Sequence, residues 1–254
     1  MDIALITGAS SGLGAIYAKT IIDLCPELDE IWLIARRKDR LEQFAMTHPQ
    51  MRIRSIPLDL SMDSSYSELG SMLAEYDPNI RILINNAGAE RTDPFASMSE
   101  ADLLTMINVN VKGVTMVSRI CLPYMKAGSI CIMTCSVSYF FPVPDQSVYS
   151  ASKAYVQFLS RALREEFRKQ KVNILALCPG NMDTEMNPKG GESQSAIVDK
   201  LPFLDMDKIT RKSISKARKG KATYTPGAFY GFYMIMTRIM PSSLMMKIVG
   251  RTYR

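Results

Sequence analysis

The chain has 254 residues, 47% hydrophobic and 22% charged, with 14 glycines and 13 prolines, a globular composition that argues against disorder, collagen-like repeats and coiled coil. Net charge is +6, and the segment 205–225 holds +5 of it, as Lys208, Arg211, Lys212, Lys216, Arg218, Lys219 and Lys221 against Asp205 and Asp207. The widely spaced Cys25, Cys121, Cys131, Cys135 and Cys178 read as buried thiols, and His48 is the only histidine, so neither a histidine triad nor a metal site is expected.

From the N-terminus, the chain goes straight into apolar residues without a basic leader, and no uncharged apolar run approaches about 18 residues. Neither a secretory signal nor a membrane span is expected, and a cytoplasmic setting is. Runs rich in Ile, Leu and Val at 3–7, 31–36, 52–58, 81–85, 129–135 and 172–178 are apolar on both faces, as parallel strands covered by helices must be. Helical spacing occupies 13–24, 39–46, 64–76, 100–125 and 147–170, with Ser99 as an N-cap and Asp102 at the third position. This alternation predicts right-handed βαβ crossovers and a doubly wound α/β sheet. No linker or repeat interrupts it, so a single domain is expected over 1–254, with a core to about residue 185 and a lid and tail over 186–254.

Beyond Pro179-Gly180 the pattern changes. A polar loop spans 181–191, and the basic segment reads as a solvated helix face ended by Gly220 in a left-handed cap. Its charge also suits an anionic substrate, an acidic membrane surface or a partner protein. Nucleic acid is not expected, because no aromatic residues are interleaved with the bases. Residues 220–227 should supply a seventh strand. The tail over 228–249 is apolar and rich in methionine, but Arg238 and Pro241 interrupt it. It should pack on the domain or a second subunit, in preference to a greasy substrate or a membrane surface.

Two motifs carry chemistry. Thr7-Gly8-Ala9-Ser10-Ser11-Gly12-Leu13-Gly14 follows the first strand and opens the first helix. Glycines there let the backbone approach a pyrophosphate, whose charge meets the helix N-terminus. Tyr149 and Lys153 lie four apart, on one helix face. A phenol has a pKa of about 10, and a nearby ammonium favours its ionised form. Such a pair can move protons without histidine.

Taken together with Asn85-Asn86-Ala87-Gly88, Asn110-Val-Lys-Gly113, Ser136 thirteen residues before Tyr149, and Pro179-Gly180, these motifs resemble the short-chain dehydrogenases/reductases over residues 1 to about 185. The resemblance implies a Rossmann-type, mostly parallel seven-stranded sheet with helices on both faces. It implies that Tyr149 exchanges the proton with substrate, that Lys153 lowers the tyrosine pKa and holds the nicotinamide ribose, and that Ser136 polarises the carbonyl. Asn110 would hold a water that links Lys153 to solvent. Cys135, beside Ser136, reads as core.

The same resemblance places the cofactor against Gly8, Ser10, Ser11, Gly12, Leu13, Gly14, Ala87 and Gly88, with Asp59 and Leu60 at the adenine and Asn86 near the adenosine ribose. Met182 and Thr184 would hold the nicotinamide carboxamide, and Tyr149, Lys153, Pro179 and Gly180 would also contact the cofactor. On their own, Asp59 reads as a turn cap and Thr184 as a helix N-cap. Arg36 ends the second strand where an acid would select NAD, so NADP is expected over NAD, with Arg37 in support. Many NADP-using relatives carry a further basic residue where this chain has Ser11. The C-terminal third departs from the commonest family ending and resembles branches with extended apolar tails. The expected substrate is a hydrophobic ketone or secondary alcohol, a hydroxysteroid being one form, in a homo-oligomer (dimer or tetramer). Phe140, Phe141, Pro142, Val143 and Phe203 should line its pocket. A 3-oxoacyl thioester reductase is the alternative, and a non-catalytic NADP-binding sensor is the competitor from another class.

Overall fold

The computed structural model describes residues 1–189 and 201–240. In chain order it runs β1 (Asp2–Thr7), α1 (Gly12–Leu24), β2 (Glu30–Ala35), α2 (Lys38–Thr47), β3 (Ile53–Pro57), α3 (Asp63–Tyr76), β4 (Asn79–Asn85), α4 (Glu100–Ile107), α5 (Val114–Cys121), β5 (Ile130–Thr134), α6 (Ser147–Glu166), β6 (Asn173–Leu177), α7 (Met206–Arg218), β7 (Thr223–Tyr224) and α8 (Ala228–Ile239). All seven strands pair in parallel, in the order β3-β2-β1-β4-β5-β6-β7. The first six expected strands are present to within two residues at either end, and the stretch 220–227 supplies a seventh that is only two residues long.

Successive residues of a strand face opposite sides, and the core divides accordingly. Ile3, Leu5, Trp32, Ile34, Leu83, Cys131, Met133 and Ile174 pack under residues of α3, α5 and α6. Ala4, Ile6, Ile31, Leu33, Ile82, Ile84, Ile132 and Leu175 pack under residues of α1, α2 and α7. Both faces are dry, which is why these strands read as unbroken apolar runs. The topological switch falls between β1 and β4, where crossovers reverse direction and the carboxyl ends of the strands leave a crevice.

Two helical expectations need correction. The stretch 100–125 is not one helix: α4 passes into a π-helical turn at Asn108–Gly113, then α5, then a 3-10 turn at Leu122–Tyr124. The apolar spacing continues through that turn, so periodicity alone could not locate it. The helix expected over 147–170 stops at Glu166, and Lys171 turns the chain in the left-handed region with φ 57°. Ser99 does cap α4, its Oγ accepting from the Asp102 N–H, and Gly220 sits at φ +67° after α7.

The basic segment forms α7. Its inner face buries Ile209, Ile214 and Ala217, and two hydroxyl pairs join it to α1: Tyr17 with Ser213 at 2.6 Å and Thr20 with Thr210 at 2.7 Å. Lys212, Lys216, Lys219 and Lys221 line a surface cavity of about 580 Å³ with Tyr224 and Thr225. Of the expected lid, 190–200 lies outside the described residues, as does the tail over 241–254, including Pro241.

Candidate active site

The glycine loop is shaped as a pyrophosphate cradle. Gly8 and Gly12 take φ of +68° and +50°, which L-residues seldom adopt. A side chain at Gly14 would lie 2.2 Å from the Gly8 carbonyl oxygen, so only glycine lets the helix start this close to the strand. Ser11, the N-cap of α1, makes no side-chain cap, and the first turn carries no acid. The N–H groups there remain available to an anion, and Leu13 is buried behind them. Thr7 ties the loop to the next motif: its Oγ accepts from the N–H groups of Asn86 (2.9 Å) and Ala87 (3.0 Å). The Asn86 side chain in turn donates to the Thr7 carbonyl and accepts from Thr134.

Arg36 and Arg37 separate in role. Arg36 is exposed and has no hydrogen bond or ion pair among the described residues. Arg37 donates to Ser10 Oγ (3.2 and 3.1 Å), to Ser11 Oγ (2.8 Å) and to the Glu185 carboxylate (2.7 Å). Arg40 pairs with Glu185 as well. The two guanidiniums hold the Glu185 carboxyl well below the usual range, at about 2. Glu185 thereby brings the segment after β6 over the loop, where Thr184 Cγ2 would lie 3.2 Å from a side chain on Gly12. Met182 bridges to Leu204. Thr184 caps no helix; its Oγ accepts from the Asn187 N–H in a local turn. Asp59 caps a turn, accepting from the N–H and Oγ of Ser61, while Leu60 is buried beside Gly113.

The four residues expected to act together converge at the carboxyl ends of β4 and β5. Tyr149 and Lys153 are buried on α6, with Lys153 Nζ 5.5 Å from the phenol ring centre. Nζ donates 3.2 Å to the Thr134 carbonyl and would lie 3.4 Å from a side chain begun on Gly88. Ser136 follows β5 with extended backbone, exchanges hydrogen bonds with Ser138, and bonds the Tyr149 hydroxyl. Asn110 lies in the π-helical turn, fully buried. Its Oδ1 accepts from the Ala89 N–H (2.8 Å), and its Nδ2 donates to the Ala89 carbonyl (2.8 Å) and Ser152 Oγ (3.1 Å). The extra residue of a π-turn is thus spent aiming one amide at an active-site loop. Both Nδ2 hydrogens are used in these bonds, while Oδ1 keeps a second lone pair.

Electrostatics here depart from the expectation. Burial pushes the Tyr149 phenol up from its ordinary value, the Glu90 carboxylate adds to the rise, and the Ser136 hydrogen bond opposes it. Burial lowers the Lys153 ammonium. In this state the phenol is held protonated, more firmly than a free tyrosine. Cys135 is core as expected, its Sγ 3.7 Å from Gln157 Oε1.

Three participants escaped the sequence reading. Glu90 is partly buried beside Lys153, and its only sequence signal is a carboxylate two residues past Gly88. Tyr233 of α8 packs on Phe140 (5.9 Å between ring centres) and Phe141 (5.6 Å), with Phe229 stacked beyond it. Tyr230, fully buried, lies against Gly180, donates to the Pro202 carbonyl and accepts from the Asn181 N–H. Helix α8 therefore completes the aromatic wall that the loop 140–146 starts.

Fold and site together define a doubly wound dinucleotide-binding protein with a buried Tyr–Lys–Ser–Asn cluster at its switch-point crevice. The chain belongs to the short chain dehydrogenase family, whose sequence model matches residues 2–195. It is 29% identical to very-long-chain 3-oxoacyl-CoA reductase of Mus musculus, over 97% of this chain and 78% of that one. Sulfoacetaldehyde reductase 2 of Chromohalobacter salexigens is 34% identical over 72% of this chain and 74% of its own. Among solved structures, a short-chain dehydrogenase from Sphingobium yanoikuyae in complex with NADPH superposes with a TM-score of 0.76 at 24% identity, covering 96% of this chain and 98% of that one. The chain is an oxidoreductase acting on CH–OH and C=O groups.

Proposed function

We propose that this protein reduces a ketone on a hydrophobic substrate with NADPH, or runs the reverse oxidation, using Tyr149 as the proton-transfer group. The convergence of Tyr149, Lys153, Ser136 and Asn110 on one crevice carries the reading. When bound, the nicotinamide cofactor supplies or accepts the hydride. Ser136 donates a hydrogen bond to the substrate oxygen, polarising the carbonyl, and Tyr149 delivers its proton to that oxygen as negative charge develops. Lys153 stabilises the phenolate left behind, and the ordered backbone around Asn110 and Ala89 leads its proton supply toward solvent.

NADP as cofactor is supported by the free Arg36 guanidinium at the end of β2 and by the NADPH held in the Sphingobium relative. Where other NADP-using proteins carry a basic residue in the glycine loop, Arg37 reaches into Ser10 and Ser11 from outside. An apolar, ring-shaped substrate such as a steroid ketone is supported by the wall of Phe140, Phe141, Tyr233 and Phe229. A second reading, 3-oxoacyl thioester reduction, is favoured by the similarity to the mouse reductase and by lysines that could meet an anionic carrier. The reading takes residues 1–254 as one domain in a cytoplasmic homo-oligomer. Leu104, Ile107 and Phe158, exposed on α4 and α6, give that association an apolar face. No helix of the described residues is long and apolar enough to cross a membrane.

The test follows NADPH and NADH oxidation with ketosteroids, aromatic ketones and 3-oxoacyl thioesters, with Tyr149→Phe as the blank. Turnover of one class with NADPH, absent in the blank, is expected. Equal turnover by the Tyr149→Phe variant would refute the mechanism, and silence on every ketone with NADPH bound would favour a sensor.

A further inference from the structure

Glu90 is a titratable group at this site that the mechanism above does not use. It follows Ala89, whose N–H and carbonyl are both bound by Asn110, so the backbone carrying it is fixed. Its Oε1 accepts a 2.9 Å hydrogen bond from Gln146 Nε2, which also donates 3.0 Å to Thr92 Oγ. Gln146 is the N-cap of α6, three residues before Tyr149. The second carboxylate oxygen has no protein partner among the described residues.

The charges around this group are few. Lys153 is the cation acting on Glu90, and Glu90 is the anion acting on Tyr149. Arg91, next in sequence, turns away, donating to the Glu90 backbone carbonyl and to Asp102. From β5 and its end, Ser136 and Cys135 face Tyr149, and Cys135 with Cys178 of the β6 end faces Lys153. Thr92 and Gln146, the other side chains at Glu90, are neutral.

We propose that Glu90 is a positioning residue of this reaction, whose carboxylate holds Lys153 as an ammonium and opposes the Tyr149 phenolate, so that it sets the pH at which Tyr149 becomes able to take a proton from an alcohol. The inference rests on Tyr149 and Lys153 being the proton-transfer pair. Burial lifts the Glu90 carboxyl to about 7, with Lys153 opposing the rise. Below that midpoint Glu90 is neutral and leaves the phenolate alone. Above it, the anion penalises the phenolate, from which alcohol oxidation starts and which ketone reduction leaves behind, so Tyr149 gives up its proton only at higher pH.

Two measurements decide it. In carboxyl-carbon NMR of glutamate-labelled protein, with Glu90→Gln assigning the resonance, Glu90 should titrate at about 7. Lys153→Met should raise that midpoint by about one unit, while Lys153→Arg leaves it in place. A midpoint in the ordinary carboxylate range, or one indifferent to Lys153→Met, overturns the proposal. In NADP-linked oxidation of 1-phenylethanol, the acid limb of kcat/KM should move about one pH unit lower in Glu90→Gln and return in Glu90→Asp. A limb that stays, or moves higher, overturns it too. If wild type oxidises no alcohol and Tyr149→Phe changes nothing, the catalytic reading fails instead, and the NMR titration still decides Glu90.

Discussion

Tyr149 meets its neighbours in a setting where burial and the Glu90 carboxylate favour the neutral phenol and the Ser136 hydrogen bond opposes them. Replacing it with phenylalanine removes one hydroxyl and keeps the ring packed on Met98 and Met106. Turnover should fall by roughly 10²–10⁴-fold. NADPH affinity, read by fluorescence titration, should be unchanged; a parallel loss of binding would mean that Tyr149 is structural. Arg36 and Arg37 make a second contrast at this scale. Arg36 has nothing to hold except a ligand, so Arg36→Ala should weaken NADPH by about tenfold to about a hundredfold, the worth of one or two charged hydrogen bonds, and spare NADH. Arg37→Ala should also loosen Ser10, Ser11 and Glu185, and so affect both cofactors. Equal losses for NADPH and NADH in Arg36→Ala would remove Arg36 from the selection.

Between elements, the contact of β6 with α8 sets the substrate side. A methyl group on Gly180 would lie 2.0 Å from the Tyr230 ring, inside its van der Waals envelope. Gly180→Ala should therefore cost about 1–3 kcal/mol and displace α8, and the double variant with Tyr230→Ala should recover much of that loss. Thermal melts of the three variants measure the coupling; additive losses would show that the two residues do not oppose each other. The glycine of Pro179-Gly180 was legible as a motif, yet its partner was not, because Tyr230 is fifty residues away and part of an apolar tail with no motif of its own. The π-turn at Asn108–Gly113 illustrates the same limit. Asn110 was recognisable as a family position, while the interruption of the helix depends on both polar groups of Ala89 bonding one side chain.

Across the molecule, the core holds neutral acids that an unfolded chain would ionise at alkaline pH. Burial pushes Tyr66 and Cys131 up to about 12, and raises Tyr17 and Cys121 as well. A pKa raised on folding contributes stability that is whole below the unfolded value and is lost as pH rises toward the folded one. Melting temperature should thus hold level to about pH 8.5, where free cysteine starts to ionise, and fall steadily beyond about pH 10, where tyrosine follows. A flat profile through that range would show these groups to be more accessible than the packing implies.

What the sequence determined by itself was whatever depends on neighbours along the chain. Residues alternating within a strand, four apart on α6 or closely spaced in a glycine turn yield the six long strands, the doubly wound class, the cradle at Gly8–Gly14 and the Tyr149–Lys153 pair. Tertiary structure alone decided what depends on distance through space. It turned Arg37 onto the loop and left Arg36 free, brought Tyr230 and Tyr233 of α8 onto Gly180 and the 140–146 loop, and set Glu90 against Lys153. The reason is physical: local geometry follows from steric and hydrogen-bonding rules acting over a few residues, whereas burial and the field of a distant charge exist only once the chain has closed on itself.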